Sequence, residues 1–135
     1  MTTKERTSQS IRFEVLDVAS QAAAAAIRLS MQLTGTLRSQ ADQLVKSATS
    51  GSNNLAEGAG RRGRVRTTHY EIAYGSTREA MQIVLTVARA GVVKQEDADE
   101  TFHLLVSGPG LLTRPNPYLW YQARRLDGAS ACVPL

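Results

Sequence analysis

Between Asn54 and Arg66 the chain reads Asn-Leu-Ala-Glu-Gly-Ala-Gly-Arg-Arg-Gly-Arg-Val-Arg, and this stretch dictates a reversal. Gly58 and Gly60 stop an incoming helix, because glycine costs about 1 kcal/mol against alanine in a helix interior and suits the position just past a helix end. Arg61, Arg62, Arg64 and Arg66 then fall within six residues, with no acid between Glu57 and Glu71. A new helix is predicted from Thr68. There Thr68-His-Tyr-Glu71 has the capping-box spacing, in which threonine and glutamate each satisfy an orphan backbone N–H. The chain is thus predicted to turn over at a basic hairpin tip between two helices.

Elsewhere the apolar residues recur at three-and-four spacing, the period of one helix face. Phe13, Leu16, Ala19, Ala23, Ile27 and Met31 predict a first helix over about residues 10–33, with Gly35 ending it in the left-handed position. Ala22–Ala26 has the highest helix propensity available and lets a neighbouring helix approach closely. A second helix is predicted from a cap at Thr36, with Leu37, Ala41, Leu44, Val45, Ala48, Leu55, Ala56 and Ala59 inward. It falters at Thr49-Ser-Gly51-Ser-Asn-Asn54, all poor helix formers. In the third helix Tyr70, Ala73, Tyr74, Thr77, Met81, Val84, Leu85 and Ala88 form the stripe, closed by Gly91. A fourth begins near Lys94. Its acids Glu96, Asp97, Asp99 and Glu100 complement the helix dipole, and Ala98, Phe102, Leu105 and Val106 face inward until Gly108-Pro109-Gly110.

Three units are predicted: a disordered lead-in over residues 1–9, a helical bundle over 10–108 and a tail over 109–135. Pro115 and Pro117 bar a regular helix between them, while Tyr118, Trp120 and Tyr121 are too apolar for a solvated tail. Docking across the bundle or onto a neighbouring subunit is the simpler expectation; stacking on bases beside Arg124 and Arg125 is the second.

The fold class expected is all-α, an up-down-up-down antiparallel four-helix bundle. Only seven of 135 residues are aromatic, and alanine carries much of the apolar 42%, which suits close-packed helices better than a β-sandwich. Such a topology brings the start of helix 1, the helix 2–helix 3 turn and the end of helix 4 to one pole. Lys4, Arg6, Arg12, the four arginines of the turn and Arg114 would gather there. The net charge of +4 then hides a dipolar molecule with one basic end. The longest charge-free apolar run, Val18–Ile27, falls short of the roughly 20 residues needed to span a bilayer, so no membrane is expected. No secretory signal is visible. The single cysteine, Cys132, has no intrachain partner, which points to the cytoplasm.

The run Asn54-Leu-Ala-Glu57-Gly58, followed by Arg61-Arg62, Tyr70, and Ala73-Tyr-Gly75-Ser76 with Glu79, resembles the four-helix proteins encoded in intervening sequences of bacterial 23S ribosomal RNA genes. Their shared core is Asn-Ile-Ala-Glu-Gly, an arginine-bearing turn, and Ala-x-Gly-Ser-x-x-Glu; leucine here replaces the isoleucine. The resemblance covers about residues 13–108, and the Gly51 segment and Pro109 depart from it. It implies a four-helix protomer assembling as a homopentamer, with no assigned catalytic activity. Distant relatives are accessory proteins of diversity-generating retroelements, working with a reverse transcriptase and nucleic acid.

Two readings of the arginine turn stay open. Four arginines can keep an exposed tip soluble. They can also bind phosphates bidentately, while Gly58, Gly60 and Gly63 let a nucleic-acid backbone approach. The candidate nucleic-acid-binding residues are Arg61, Arg62, Arg64, Arg66, Arg12 and Arg114. Four neutralised phosphates would give a slope of log affinity on log salt of about −3 to −4. Asn54, Glu57, Tyr70, Ser76 and Glu79 are expected to form a structural polar network joining helices 2 and 3, with Asn54 level with about Tyr70. A catalytic Glu57 lacks a partner acid or nucleophile, so no catalytic residue is assigned. Glu100-Thr-Phe-His103 has the Glu-x-x-His spacing of di-iron bundles, but the second motif and further glutamates are missing, so no metal or cofactor is expected. The function predicted is a non-enzymatic, oligomeric, RNA- or DNA-binding bundle. The alternative is a protein-interaction scaffold docking an acidic protein or an enzyme such as a reverse transcriptase.

Overall fold

A computed structural model describes residues 2–108, residues 4–12 of these through their backbone alone. The tail with Tyr118, Trp120 and Tyr121, and with it Arg114, Arg124, Arg125 and Cys132, lies outside the described residues. Four helices make up the rest: α1 (Thr3–Ser30), α2 (Arg38–Ala59), α3 (Gly63–Arg89) and α4 (Gln95–Ser107), with a 3-10 turn at Gly35–Leu37 before α2. No strand occurs among the described residues. The helices pack as a bundle in which α2 and α3 share the most extensive contact, α1 lies against α2 and α4, and α3 against α4.

Helix directions follow from paired residues. Ser50 meets Ser76, Asn54 meets His69 and Gly58 meets Tyr70, so α2 and α3 run oppositely. Ala19 against Gly108 and Gln32 against Asp97 do the same for α1 and α4. At that second contact the Gln32 Nε2 donates to Asp97 Oδ2 at 2.7 Å, and its Oε1 accepts the Lys94 backbone N–H at 2.8 Å. One side chain from just past the end of α1 thereby caps the start of α4.

The core has two parts. A large cluster holds Leu29, Leu44, Met81, Val84 and Leu105, and a small one holds Val15, Ala19, Leu55 and Ala73 beside Leu16 and Tyr70. Because Leu55 lies one turn before the end of α2, the small cluster sits beneath the arginine turn.

The rotation of α1 differs from the expected one. Of the expected stripe, Ala19 and Ala23 are buried and Leu16 is half-buried, but Phe13, Ile27 and Met31 are 77%, 42% and 76% exposed, while Val15, Ala22, Ala26, Leu29 and Leu33 are buried instead. Both sets keep three-and-four spacing, and consecutive alanines offer every face equally. The large residues Leu29 and Leu33 therefore decide the rotation by what they bury against. The helix also opens at Thr3 rather than Ser10, so the lead-in expected to be disordered is helical from its third residue. Nothing there is glycine or proline, and extending a formed helix adds one hydrogen bond per residue fixed.

Two caps differ as well. Thr36 does not cap α2; it sits in the 3-10 turn behind Gly35 (φ 61°), and the residue before the helix is Leu37, with no side-chain bond. Thr68 does not cap α3, which begins at Gly63; its Oγ1 bonds back to Arg64 O at 2.9 Å. Gly63, at φ 58°, supplies the left-handed step that lets the helix start early. By contrast Gly91 (φ 70°), the acids Glu96 and Asp97 in the first turn of α4, and buried Ala98, Phe102, Leu105 and Val106 match the expectation.

Helix α2 passes unbroken through the stretch where it was expected to falter, and Gly51 and Gly58 are buried in its inner face while Ala56 is exposed. A Cβ on Gly51 would lie 2.6 Å from Thr77 Oγ1. The glycine lets α3 come close. Its cost of about 1 kcal/mol is smaller than the roughly 1.5–3 kcal/mol that each fully buried leucine contributes, and Leu44 and Leu55 flank it on the same face.

Candidate nucleic-acid interface

The tip is built by tight packing below and a short turn above. A Cβ on Gly58 would lie 2.6 Å from the Tyr70 ring and 3.2 Å from His69 Cβ, so only glycine lets the last turn of α2 rest on α3. Gly60 donates to Ala56 O and Glu57 O, Arg61 N donates to Gly58 O, and Arg62 turns to an extended conformation (φ −134°, ψ 159°). The connection is therefore only residues 60–62. Arg64 and Arg66, expected on a loop, stand in the first turn of α3.

The four arginines do different things. Arg61 Nε and Nη2 both donate to Glu57 Oε1, at 2.9 and 2.5 Å, with the two side chains 56% and 46% exposed. That contact holds the Glu57 carboxyl below its ordinary 4.5, first through the hydrogen bonds from Arg61 and then through its charge; His69 adds a smaller pull. Arg66 Nε donates to Gly58 O at 3.2 Å, taking up a carbonyl in the last turn of α2 and pinning the two helices across the turn. The guanidinium groups of Arg62 and Arg64 are exposed and have no hydrogen-bond or ion-pair partner among the described residues. The backbone of Arg12 is one turn before Val15, in the part of α1 nearest the tip, but its side chain is not among those described; Arg114 lies outside the described residues.

A polar chain runs between α2 and α3 below the tip. Asn54 Nδ2 donates to Ser50 O at 2.9 Å and lies 3.3 Å from Ser50 Oγ, whose hydroxyl meets Ser76 Oγ at 2.9 Å. With its amide nitrogen so committed, Asn54 presents Oδ1 to His69 Nδ1 at 3.0 Å, which makes that ring nitrogen the donor. Of the residues expected in this network, Asn54 and Ser76 take part. Tyr70 instead fills the Gly58 notch, Glu57 serves Arg61, and Glu79 is exposed with no polar partner among the described residues. Ser50 and His69 complete the chain. The only sequence signals for them are the four-residue step from Ser50 to Asn54 and the seven-residue step from His69 to Ser76, each keeping one helix face.

Further along α3 the Arg78 guanidinium lies 5.6 Å from the centre of the Tyr74 ring. Glu100 and His103 are both exposed on α4, and among the described residues no three His, Cys, Asp or Glu side chains converge on a point. No described helix is long and apolar enough to cross a membrane.

Compared with known proteins, residues 12–112 match the model of the family described as 23S rRNA-intervening sequence protein. No curated protein and no solved structure matches the chain.

Proposed function

The chain belongs to the 23S rRNA-intervening sequence protein family, and from that premise we propose that it is a non-enzymatic, cytoplasmic, oligomeric bundle that binds RNA or DNA through its arginine tip. The observation that carries the reading is the pair Arg62 and Arg64: two exposed guanidinium groups without a partner among the described residues, at a three-residue turn whose backbone is held by Gly58 and Arg66. A free guanidinium offers a fork of donors matched to phosphate, and a rigid turn spares the ordering cost. An up-down-up-down course, supported by the opposed α2–α3 and α1–α4 pairs, adds the start of α1 and its Arg12 to the same pole.

Two free arginines change the expected salt dependence. At about −0.9 per phosphate on duplex DNA, two contacts give a slope of about −2 per engaged protomer, shallower than four contacts give. Fluorescence titration of generic RNA and duplex DNA over a salt series measures it. Arg62→Ala and Arg64→Ala should each flatten the slope by about 0.9 on duplex DNA and leave thermal stability unchanged. Unaltered slopes in both variants would reject the tip as the contact surface.

Assembly into a ring, a pentamer by family resemblance, is supported by apolar faces left exposed among the described residues. On α1 these are Phe13, Ile27 and Met31; on α3 they are Val65 and Ile72, 51% and 45% exposed, beside Gly75, around whose Cβ position nothing lies within 4 Å. The α1 face of one copy would meet the α3 face of the next. Exposed Arg62 and Arg64 also serve the second reading, a scaffold whose basic end docks an acidic protein or a nucleic-acid enzyme such as a reverse transcriptase. Binding of neither RNA nor DNA, with retention of an acidic protein, is the outcome that selects it.

A further inference from the structure

Glu57 is the one acid between Asp42 and Glu71, and it stands beside the four arginines. Its position is poor for helix stability. It lies in the last turn of α2, where a negative charge opposes the helix dipole, and its side chain is half in water, where an ion pair gains little. What it does accomplish is to fill the Nε–Nη2 edge of Arg61, with both donors on Oε1. That edge is one of the two through which a guanidinium can engage a phosphate bidentately, and the carboxylate also neutralises the charge of Arg61.

We infer that Glu57 acts as an intramolecular competitor of phosphate, holding Arg61 off the ligand so that the tip engages polyanions through Arg62 and Arg64 alone. This rests on the nucleic-acid reading of the tip. Carboxylate and phosphate present the same paired oxygens to the guanidinium, and the carboxylate is tethered four residues away at high effective concentration. A phosphate taking that edge of Arg61 must displace the carboxylate, and one approaching the outer edge meets a guanidinium whose charge Glu57 already neutralises. Glu57 therefore sets how many phosphates each protomer neutralises, and with it the affinity and the salt dependence. The depressed carboxyl proton affinity keeps the competitor charged at neutral pH.

The test is a set of salt-dependent titrations against duplex DNA and single-stranded RNA with the wild type, Glu57→Gln, the double variant Glu57→Gln/Arg61→Ala, and Arg62→Ala. Glu57→Gln frees a third arginine and should steepen the slope by about 0.9 on duplex DNA and about 0.7 on a single strand, per engaged protomer. The double variant removes a pair of zero net charge and should match the wild-type slope. An unchanged slope for Glu57→Gln overturns the inference. So does a double variant whose slope falls as far as that of Arg62→Ala, since Arg61 would then already contact phosphate in the wild type. If Arg62→Ala itself leaves the slope untouched, the tip is not the interface and the inference falls with that reading. If it flattens the slope while Glu57→Gln changes nothing, the interface stands and only the role of Glu57 is rejected.

Discussion

Two glycines show how one residue type takes opposite roles by position. Gly58 abuts the Tyr70 ring, so Gly58→Ala forces the ring aside and should destabilise by about 1–3 kcal/mol in urea unfolding, partly recovered in a Gly58→Ala/Tyr70→Ala double variant. Gly75, mid-helix in α3 with open space around its Cβ position, should behave oppositely. Gly75→Ala should stabilise the isolated protomer by about 1 kcal/mol through helix propensity and weaken self-association if a neighbouring copy packs there. Glu57 has its own signature in acid. A carboxyl whose folded proton affinity is lowered contributes stability that is present above its unfolded value and is lost as pH falls through the folded one. The Glu57–Arg61 pair should thus be complete at pH 7 and open only below the ordinary 4.5. A carboxyl-carbon NMR titration of Glu57 should show that lowered midpoint, and Arg61→Ala should return it towards 4.5.

At the scale of elements, the α2–α3 pair is held by three contacts of different kinds: a glycine notch at Gly58, the Ser76–Ser50–Asn54–His69 chain, and Arg66 on the Gly58 carbonyl. Asn54→Ala deprives His69 Nδ1 of its acceptor and removes the side-chain donor to Ser50, and should cost about 1–3 kcal/mol, read by thermal unfolding. The arginines should separate by phenotype. Arg66→Ala should lower stability by about 0.5–1.5 kcal/mol through the lost hydrogen bond, whereas Arg62→Ala should lie within about 0.5 kcal/mol of wild type and lose only ligand binding. A loop of four equivalent arginines would show no such split. The α2–α3 register itself was legible: a turn centred near residue 62 puts Asn54 opposite about Tyr70, and the structure pairs it with His69. The start of α3 was not, because Thr68 and Glu71 satisfy a capping box and an uninterrupted helix equally well until Gly63 is seen at φ 58°.

Across the whole molecule, α1 and α3 carry exposed apolar faces yet share no extensive contact with each other, so their outward sides differ. In the proposed assembly these two unlike patches meet between copies, a heterologous contact that gives a ring when its rotation closes and an open filament when it does not. Phe13→Asp and Ile72→Asp should each reduce the mass measured by light scattering to that of a protomer. A mixture of the two variants should recover a dimer and no larger ring, since one intact face of each kind survives. Restoration of the full assembly, or no loss in either single variant, would rule out the α1–α3 contact.

Local chemistry alone determined that the chain is helical, where glycines interrupt it, that it reverses at an arginine tip, and which family it resembles. Those features depend on nearest neighbours and short spacings, and a sequence displays both. Tertiary structure alone decided three further things. It chose which side of α1 is buried, because an alanine run suits every rotation until Leu29 and Leu33 join the main core cluster. It made Gly51 and Gly58 contact points, because a missing side chain has meaning only against what fills its space. And it divided four like-charged arginines into two that are occupied and two that are free, because that depends on where Glu57 and the Gly58 carbonyl lie in space.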